Sequence, residues 1–427
     1  VIEKIKSWLL GALIILSLLQ TYQFVYQTPQ FETLNETDYV TANPTEVTQE
    51  LEKLISPRTI VAHLGERVHS VFYPNTNVYT NTLKTWQTRT FEGINKSQNS
   101  LEQFWKNREE RMGMELQFKH AIPLEILSSL LKVRVDEGLQ DARIDTVYAW
   151  LPASAETVEV WLISQTERLI YNVQKHDLNK TELVSMTSVA LNYPPYEPLT
   201  NQHFIPSESI AMSAYILRYE NMGSERLSQG LFIDPNITRN FTEKSGTIIY
   251  TDGKRGLQLK NNEQYVIYSD PVAQLDKRVN WSESVNTGVQ FMNSQVGWNG
   301  NYLLHGLRVE QDGAAKSLEF RQYYGSFPLI EPQVKWFGYT KITMKNGVVE
   351  GFQRPLLQIK EELAKPKKVK LIGGALLLEK LKPYLKKTSL TAIYPAYLAK
   401  VEVDQKSVTL EPAWWCEFTN GQQLFIR

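Results

Sequence analysis

The chain has 427 residues, 42% hydrophobic and 22% charged, a balance that suits a folded protein and excludes a disordered one. Lys plus Arg and Asp plus Glu stand at 46 each, so no bulk charge draws it to nucleic acid. A single cysteine excludes an internal disulfide, and the length predicts two or three domains.

The first element is a charged stub, Glu3-Lys4-Ile5-Lys6, followed by Ser7-Trp8-Leu9-Leu10-Gly11-Ala12-Leu13-Ile14-Ile15-Leu16-Ser17-Leu18-Leu19. The strictly apolar part covers roughly 18 Å, the length of a signal-peptide core. Extension through Tyr26 gives about 20 residues and roughly 30 Å, enough to cross a bilayer. Residues 20–30 are too bulky for signal cleavage, and no lipid-attachment cysteine follows. Trp8 then sits at one interface and Tyr22 and Tyr26 at the other. Residues 1–27 therefore read as a stub and a retained transmembrane helix, with a cleaved signal or a buried core helix as alternatives. Lys4 and Lys6 precede the span, and no Lys or Arg recurs until Lys53, so the N-terminus is expected in the cytoplasm and the body outside.

On a helical wheel Ser17, Gln20, Thr21, Gln23 and Gln27 share about half the circumference. Amides beside hydrocarbon need partners, so this stripe is a candidate contact with other transmembrane helices. Ser7 and Gly11 form a small-x-x-x-small step on the opposite face. The bland alternative places Gln20 and Gln23 at the wet interface.

Residues 28–45 read as a polar, acidic linker. An N-terminal extracytoplasmic domain is expected over 46–195, a middle domain over 196–278 and a C-terminal domain over 279–427. In the first, a short helix precedes Pro57 and a hairpin is expected from 59–64 and 68–73. Helices over 79–91 and 101–112 and strands over 114–118, 145–151 and 157–164 follow. The middle domain opens with a strand or helix over 208–219 and carries a hairpin at Asp252-Gly253. In the last, a helix near Trp281 precedes strands over 302–309, 317–324, 341–345 and 347–353, with a tight turn at Asn346-Gly347. A Lys-rich amphipathic helix over 375–387 and strands near 392–403 and 408–418 complete it. The class is α+β with mostly antiparallel sheet.

Chemical signatures are sparse. The six histidines are scattered without zinc-binding spacing. His63 and His69 fall on neighbouring strands and read as ordinary surface or hairpin residues ahead of a metal site. Ser129-Leu130-Leu131-Lys132 matches Ser-x-x-Lys of penicillin-recognising enzymes, but its partner motifs are missing and Leu130-Leu131 reads as core. Acidic pairs Glu109-Glu110 and Glu361-Glu362 read as solvated faces, and Cys416 as core. The lysines from Lys360 to Lys387 read as a solvated face, with an anionic polymer or lipid as the alternative. No catalytic, cofactor or metal residue is assigned.

Dispersed residues resemble the YycH family of Gram-positive extracytoplasmic regulators. They are the stub, span and linker, Leu54-Ile55-Ser56-Pro57-Arg58-Thr59-Ile60-Val61, Phe337-Gly338-Tyr339 and Val348-Val349-Glu350-Gly351-Phe352-Gln353-Arg354-Pro355-Leu356. Ile393-Tyr394-Pro395-Ala396-Tyr397 and Leu410-Glu411-Pro412-Ala413-Trp414-Trp415 extend the resemblance to the end of the chain. It implies a membrane protein beside the companion regulator YycI and the sensor kinase YycG, also called WalK. It also implies a three-domain body without enzymatic activity, and regulation of cell-wall metabolism with much of the contact made by transmembrane helices. The alternatives are a membrane-anchored wall hydrolase and a ligand-binding sensor module, the latter favoured by a polar pocket between domains.

Overall fold

The computed structural model describes residues 2–26, 48–153, 156–232, 238–271, 280–310, 315–331 and 337–427. It divides into two units, residues 1–40 and 41–427. Gln27 and the expected linker lie outside the described residues.

The first unit is the helix Ile2–Tyr26, 25 residues and therefore about 37 Å long. Its stretch Lys4–Thr21 has a mean hydropathy of 1.3 with none of its residues buried, so it is long and apolar enough to cross a membrane.

The second unit is α+β. Its first ten strands are β1 (Thr59–Gly65), β2 (Val68–Phe72), β3 (Thr90–Lys96), β4 (Met112–Pro123) and β5 (Lys132–Val133). The others are β6 (Arg143–Trp150), β7 (Glu159–Ser164), β8 (Leu169–His176), β9 (Tyr196–Pro198) and β10 (Phe204–Pro206). They form one sheet in the order β10-β9-β2-β1-β4-β6-β7-β8-β3-β5, antiparallel except for β3 with β5. β1 is central because Ile60, Val61 and Ala62 are buried on both faces, and β-branched residues suit that position. The helix Leu101–Glu110 starts at a capping box, where Ser100 and Gln103 each satisfy the other's backbone N–H. Phe104 from this helix packs with Tyr148, Trp150 and Trp161, burial worth about 1.5–3 kcal/mol for a large side chain.

The second sheet begins with β11 (Ile210–Asn221), β12 (Arg239–Thr242), β13 (Ile248–Thr251), β14 (Gly256–Lys260) and β15 (Tyr265–Ser269). It continues with β16 (Asn301–Val309), β17 (Ala315–Tyr324), β18 (Phe327–Ile330), β19 (Tyr339–Lys345) and β20 (Val348–Pro355). β21 (Leu357–Glu362), β22 (Lys367–Leu371), β23 (Leu390–Glu402), β24 (Ser407–Phe418) and β25 (Gln423–Ile426) complete it. The path runs β12-β13-β14-β15-β20-β19-β17-β18-β23-β24-β11-β21, with β16, β22 and β25 attached to β17, β11 and β24.

Asn346 and Gly347 both have positive φ, 53° and 85°, as the tight turn between β19 and β20 requires. The Asp252-Gly253 hairpin closes through four residues, because Asp252 Oδ1 accepts from the N–H groups of Lys254 and Arg255. The stretch 208–219 resolves as β11, and Phe91 lies in β3 instead of ending a helix. Strand pairing crosses both expected domain borders. Tyr196 in β9 pairs with His69 in β2, while β15 pairs with β20 and β11 with β24. In the helix Gly374–Leu385, Leu377 and Leu381 are buried while Lys380 and Lys382 face solvent.

Candidate functional site: a cleft between the two sheets

On the N-terminal helix, Ser7, Ser17, Gln20 and Thr21 are exposed, and a Cβ added at Gly11 would meet nothing within 4 Å. Thr21 Oγ1 donates to the Ser17 carbonyl at 2.8 Å, so this hydroxyl is satisfied within its own helix. Gln23 lies in the same helix, but its side chain is outside the described set.

In the body, three irregularities in strand pairing converge on one place. Between Gln117 and Ile122, β4 carries four residues where β6 carries one, so Phe118, Lys119, His120 and Ala121 leave the ladder. Leu304 and Gly306 in β16 pair with adjacent residues of β17, which makes His305 the extra residue of a bulge. Thr391 is the extra residue between β23 and β24. Bulges re-aim side chains, and these all line the same cleft. Its wider chamber, about 290 Å³, lies among Gln117–Ala121, Asp145, Gln165, His203, Thr391 and Glu417. Arg58, Lys119 and His120 also face a narrower chamber of about 20 Å³, bounded by His305, Arg321, Tyr323 and Tyr394.

Lys119 Nζ donates to Glu417 Oε2 at 2.8 Å, with side-chain exposures of 7% and 19%. Glu417 Oε1 accepts from Trp415 Nε1 at 2.8 Å and from Tyr394 Oη at 3.2 Å. Burial pushes the Glu417 carboxyl up, but the Lys119 charge and these bonds outweigh it and hold it at about 2. Burial lowers Lys119 to about 8, with Glu417 acting against it. The Arg58 guanidinium lies 5.2 Å over the Tyr394 ring and that of Arg321 5.1 Å over Tyr339. Each has a buried Nε without an acceptor, and neither meets a carboxylate among the described residues.

Three histidines stand around these cations. His120 and His305 meet edge to face, with ring centroids 5.7 Å apart. Burial, then the Lys119 charge, lowers His120 to about 4, and burial, then Arg321, lowers His305. His203 Nε2 lies 3.1 Å from the Thr391 carbonyl, so Nε2 carries the proton and Nδ1 accepts from Thr200 Oγ1 at 2.8 Å. Burial, then Arg58, lowers it to about 4. Asp145 is raised by burial to about 6, although Gln165 N–H and Thr146 Oγ1 donate to it.

Beside the cleft is a closed cluster. His63 and His69, expected as ordinary surface or hairpin residues, do face each other across the β1–β2 hairpin but are 0% exposed, because both strands lie inside the sheet under Phe204. Their Nδ1 atoms are 2.8 Å apart, and His63 Nε2 faces Glu115 Oε1 at 3.2 Å. The carboxylate places the proton on His63 Nε2, so His69 Nδ1 donates to His63 Nδ1. Arg108 Nε stands 3.7 Å from Glu115, its NH1 donates to the Asn201 carbonyl, and its guanidinium lies 4.9 Å over Phe204. Gln117 Nε2 donates to Glu115 Oε2 at 2.6 Å. Burial lowers both histidines, His69 to about 3, so neither carries charge at neutral pH. No group of three or more His, Cys, Asp or Glu arranged to hold a metal occurs among the described residues.

Elsewhere, Cys416 is buried and its thiol is pushed up to about 12 by burial. Leu130 and Leu131 of the Ser-x-x-Lys match are core. The lysines from Lys360 to Lys387 are exposed. The cleft escaped the sequence reading, where its one local trace was the polar pair Lys119-His120 interrupting an apolar strand.

Two family models match the chain, the N-terminal domain of YycH protein over residues 3–187 and its C-terminal domain over residues 200–424. A relative from Bacillus subtilis (strain 168), named two-component system WalR/WalK regulatory protein YycH, is 21% identical over 96% of this chain and 94% of its own. The crystal structure of YycH from Bacillus subtilis matches with a TM-score of 0.69 at 19% identity. It covers 90% of this chain and 98% of that one, and the fold is shared.

Proposed function

The chain belongs to the YycH family, and on that premise we propose that it is a membrane-anchored regulator of a sensor histidine kinase of the YycG/WalK type, acting beside the companion regulator YycI. The observation that carries this reading is the name of the Bacillus subtilis relative, a regulatory protein of the WalR/WalK system, matched along nearly its whole length. The exposed apolar helix Ile2–Tyr26 supports anchoring. Lys4 and Lys6 on its short side favour a cytoplasmic N-terminus and an external body.

Contact runs through the helix. The Thr21 hydroxyl is satisfied by the Ser17 carbonyl of its own helix, whereas the exposed Gln20 amide, with several donors and acceptors, gains most from a partner helix. Gln23 falls on the same face by spacing. Ser7 and Gly11 offer a second, close-approach face. A hydrogen bond between transmembrane helices is worth about 1 kcal/mol, which moves a balanced two-state kinase about fivefold. The protein is assigned no enzymatic activity, so its incubation with peptidoglycan releases nothing.

The test is the Gln20→Leu, Gln23→Leu double variant. Kinase-dependent reporter output should change by about two- to fivefold at normal protein level. Unchanged output at normal level overturns the helix as the contact surface.

A further inference from the structure

The cleft holds more positive charge than it neutralises. Lys119 and Glu417 cancel as a 2.8 Å pair and Asp145 adds a second carboxylate to the wider chamber, while Arg58 and Arg321 sit on tyrosine rings with no carboxylate at ion-pair distance from either among the described residues. A guanidinium drawn out of water is costly unless an anion meets it, and the buried Nε of each lacks an acceptor among the described residues. The two belong to different parts of the chain, Arg58 ahead of β1 and Arg321 in β17, and rest on different rings, Tyr394 and Tyr339. That arrangement suits a tetrahedral oxyanion, which accepts bonds from several directions, better than a planar carboxylate held by one fork. The wider chamber is lined by Asp145, Gln165, Gln202 and Thr391, groups that pair with hydroxyls. Its volume of about 290 Å³ is that of a small-molecule site.

We propose that this cleft binds a small phosphate ester of a polyol or sugar. Its phosphate lies at the neck, reached by Arg58 and Lys119 with one oxygen turned toward Arg321, and its hydroxyls occupy the wider chamber. The three bulges are what make the site. They take Lys119 and His120 out of the β4–β6 ladder, and place His305 and Thr391 along the same cleft. His120, His203 and His305 are lowered first by burial and then by these cations, so they stay neutral at neutral pH and add no charge to the cleft. Binding needs no kinase contact, so the site stands or falls separately from the regulatory reading.

The experiment is titration calorimetry on the full chain in detergent micelles, with inorganic phosphate, glycerol phosphate and acetate as probes. Both phosphates should bind, glycerol phosphate more tightly. Arg58→Gln and Arg321→Gln should each weaken them about tenfold or more while the ligand-free melting temperature holds. Asp145→Asn should weaken glycerol phosphate and leave inorganic phosphate unchanged. No binding of either phosphate at ~10 mM overturns the site. So does unchanged affinity in the double arginine variant, or acetate binding as tightly as phosphate. An Asp145→Asn variant that weakens neither overturns the polyol assignment. A short-chain phosphatidylglycerol locates the source: tighter binding than glycerol phosphate supports a lipid headgroup, and equal binding supports a soluble ester.

Discussion

The closed cluster around Glu115 and the open cleft around Lys119 stand four residues apart on the same strand, yet they treat charge in opposite ways. In the cluster, Arg108 faces Glu115, two histidines stay neutral, and aromatic rings seal the space. In the cleft, a lysine–glutamate pair leaves two guanidiniums over. The difference follows strand pairing. β1 and β4 pair without a break from Thr59 with Gln117 to Leu64 with Met112. Beyond Gln117 the bulge begins, side chains diverge from the sheet, and a cavity opens. Gln117 is the border residue, donating to Glu115 while its other side lines the cleft. Regular pairing closes a polar site into structure; a bulge leaves one available for a ligand.

The most severe way to break this contrast is Glu115→Gln. It strands Arg108 in the interior, and the expected loss is about 3–5 kcal/mol, measured by urea denaturation followed through tryptophan fluorescence. A loss below about 1 kcal/mol would mean that the cluster is not a paired core.

Acid tests both regions together. The folded-state values of His63, His69, His120, His203 and His305 lie below the ordinary 6.5. Above 6.5 both folded and unfolded chains hold these rings neutral. As pH falls from 6.5 toward 4, the unfolded chain binds protons that the folded one refuses, so stability falls. Each fully buried ring contributes up to about 1.4 kcal/mol per pH unit. Asp145, raised to about 6, acts with the opposite sign between there and its unfolded value and offsets about one ring. Melting temperatures across this range should decline steadily. His120→Gln with His305→Gln should remove those two rings' share of the slope and leave that of His203 and of the cluster.

The smallest effect is expected for Arg58→Gln and Arg321→Gln, a change under about 1 kcal/mol of either sign, because no buried partner is left behind. A loss as large as that of Glu115→Gln would make the cleft another structural cluster.

Much of the fold was legible locally. The pair Asn346-Gly347 demands positive φ, Ser100 and Gln103 announce a helix start, and the β-branched run at Thr59–Val61 announces a buried strand. The 25-residue helix is longer than its apolar run because its polar outer half continues the same backbone geometry. The burial of His63 and His69 was not legible in their hairpin, because β9 covers β2 from residues more than a hundred positions later.

What the sequence determined by itself was the apolar helix, its charge asymmetry, the α+β class and the family resemblance, all carried by neighbouring residues or by their order. What the tertiary structure alone decided was the meeting of Arg58, Lys119, Arg321 and Glu417. These residues come from distant positions, and three bulges set the register that turns them toward one another. A register shift of one residue reverses the face on which every following side chain lies, so no local pattern could have announced the site.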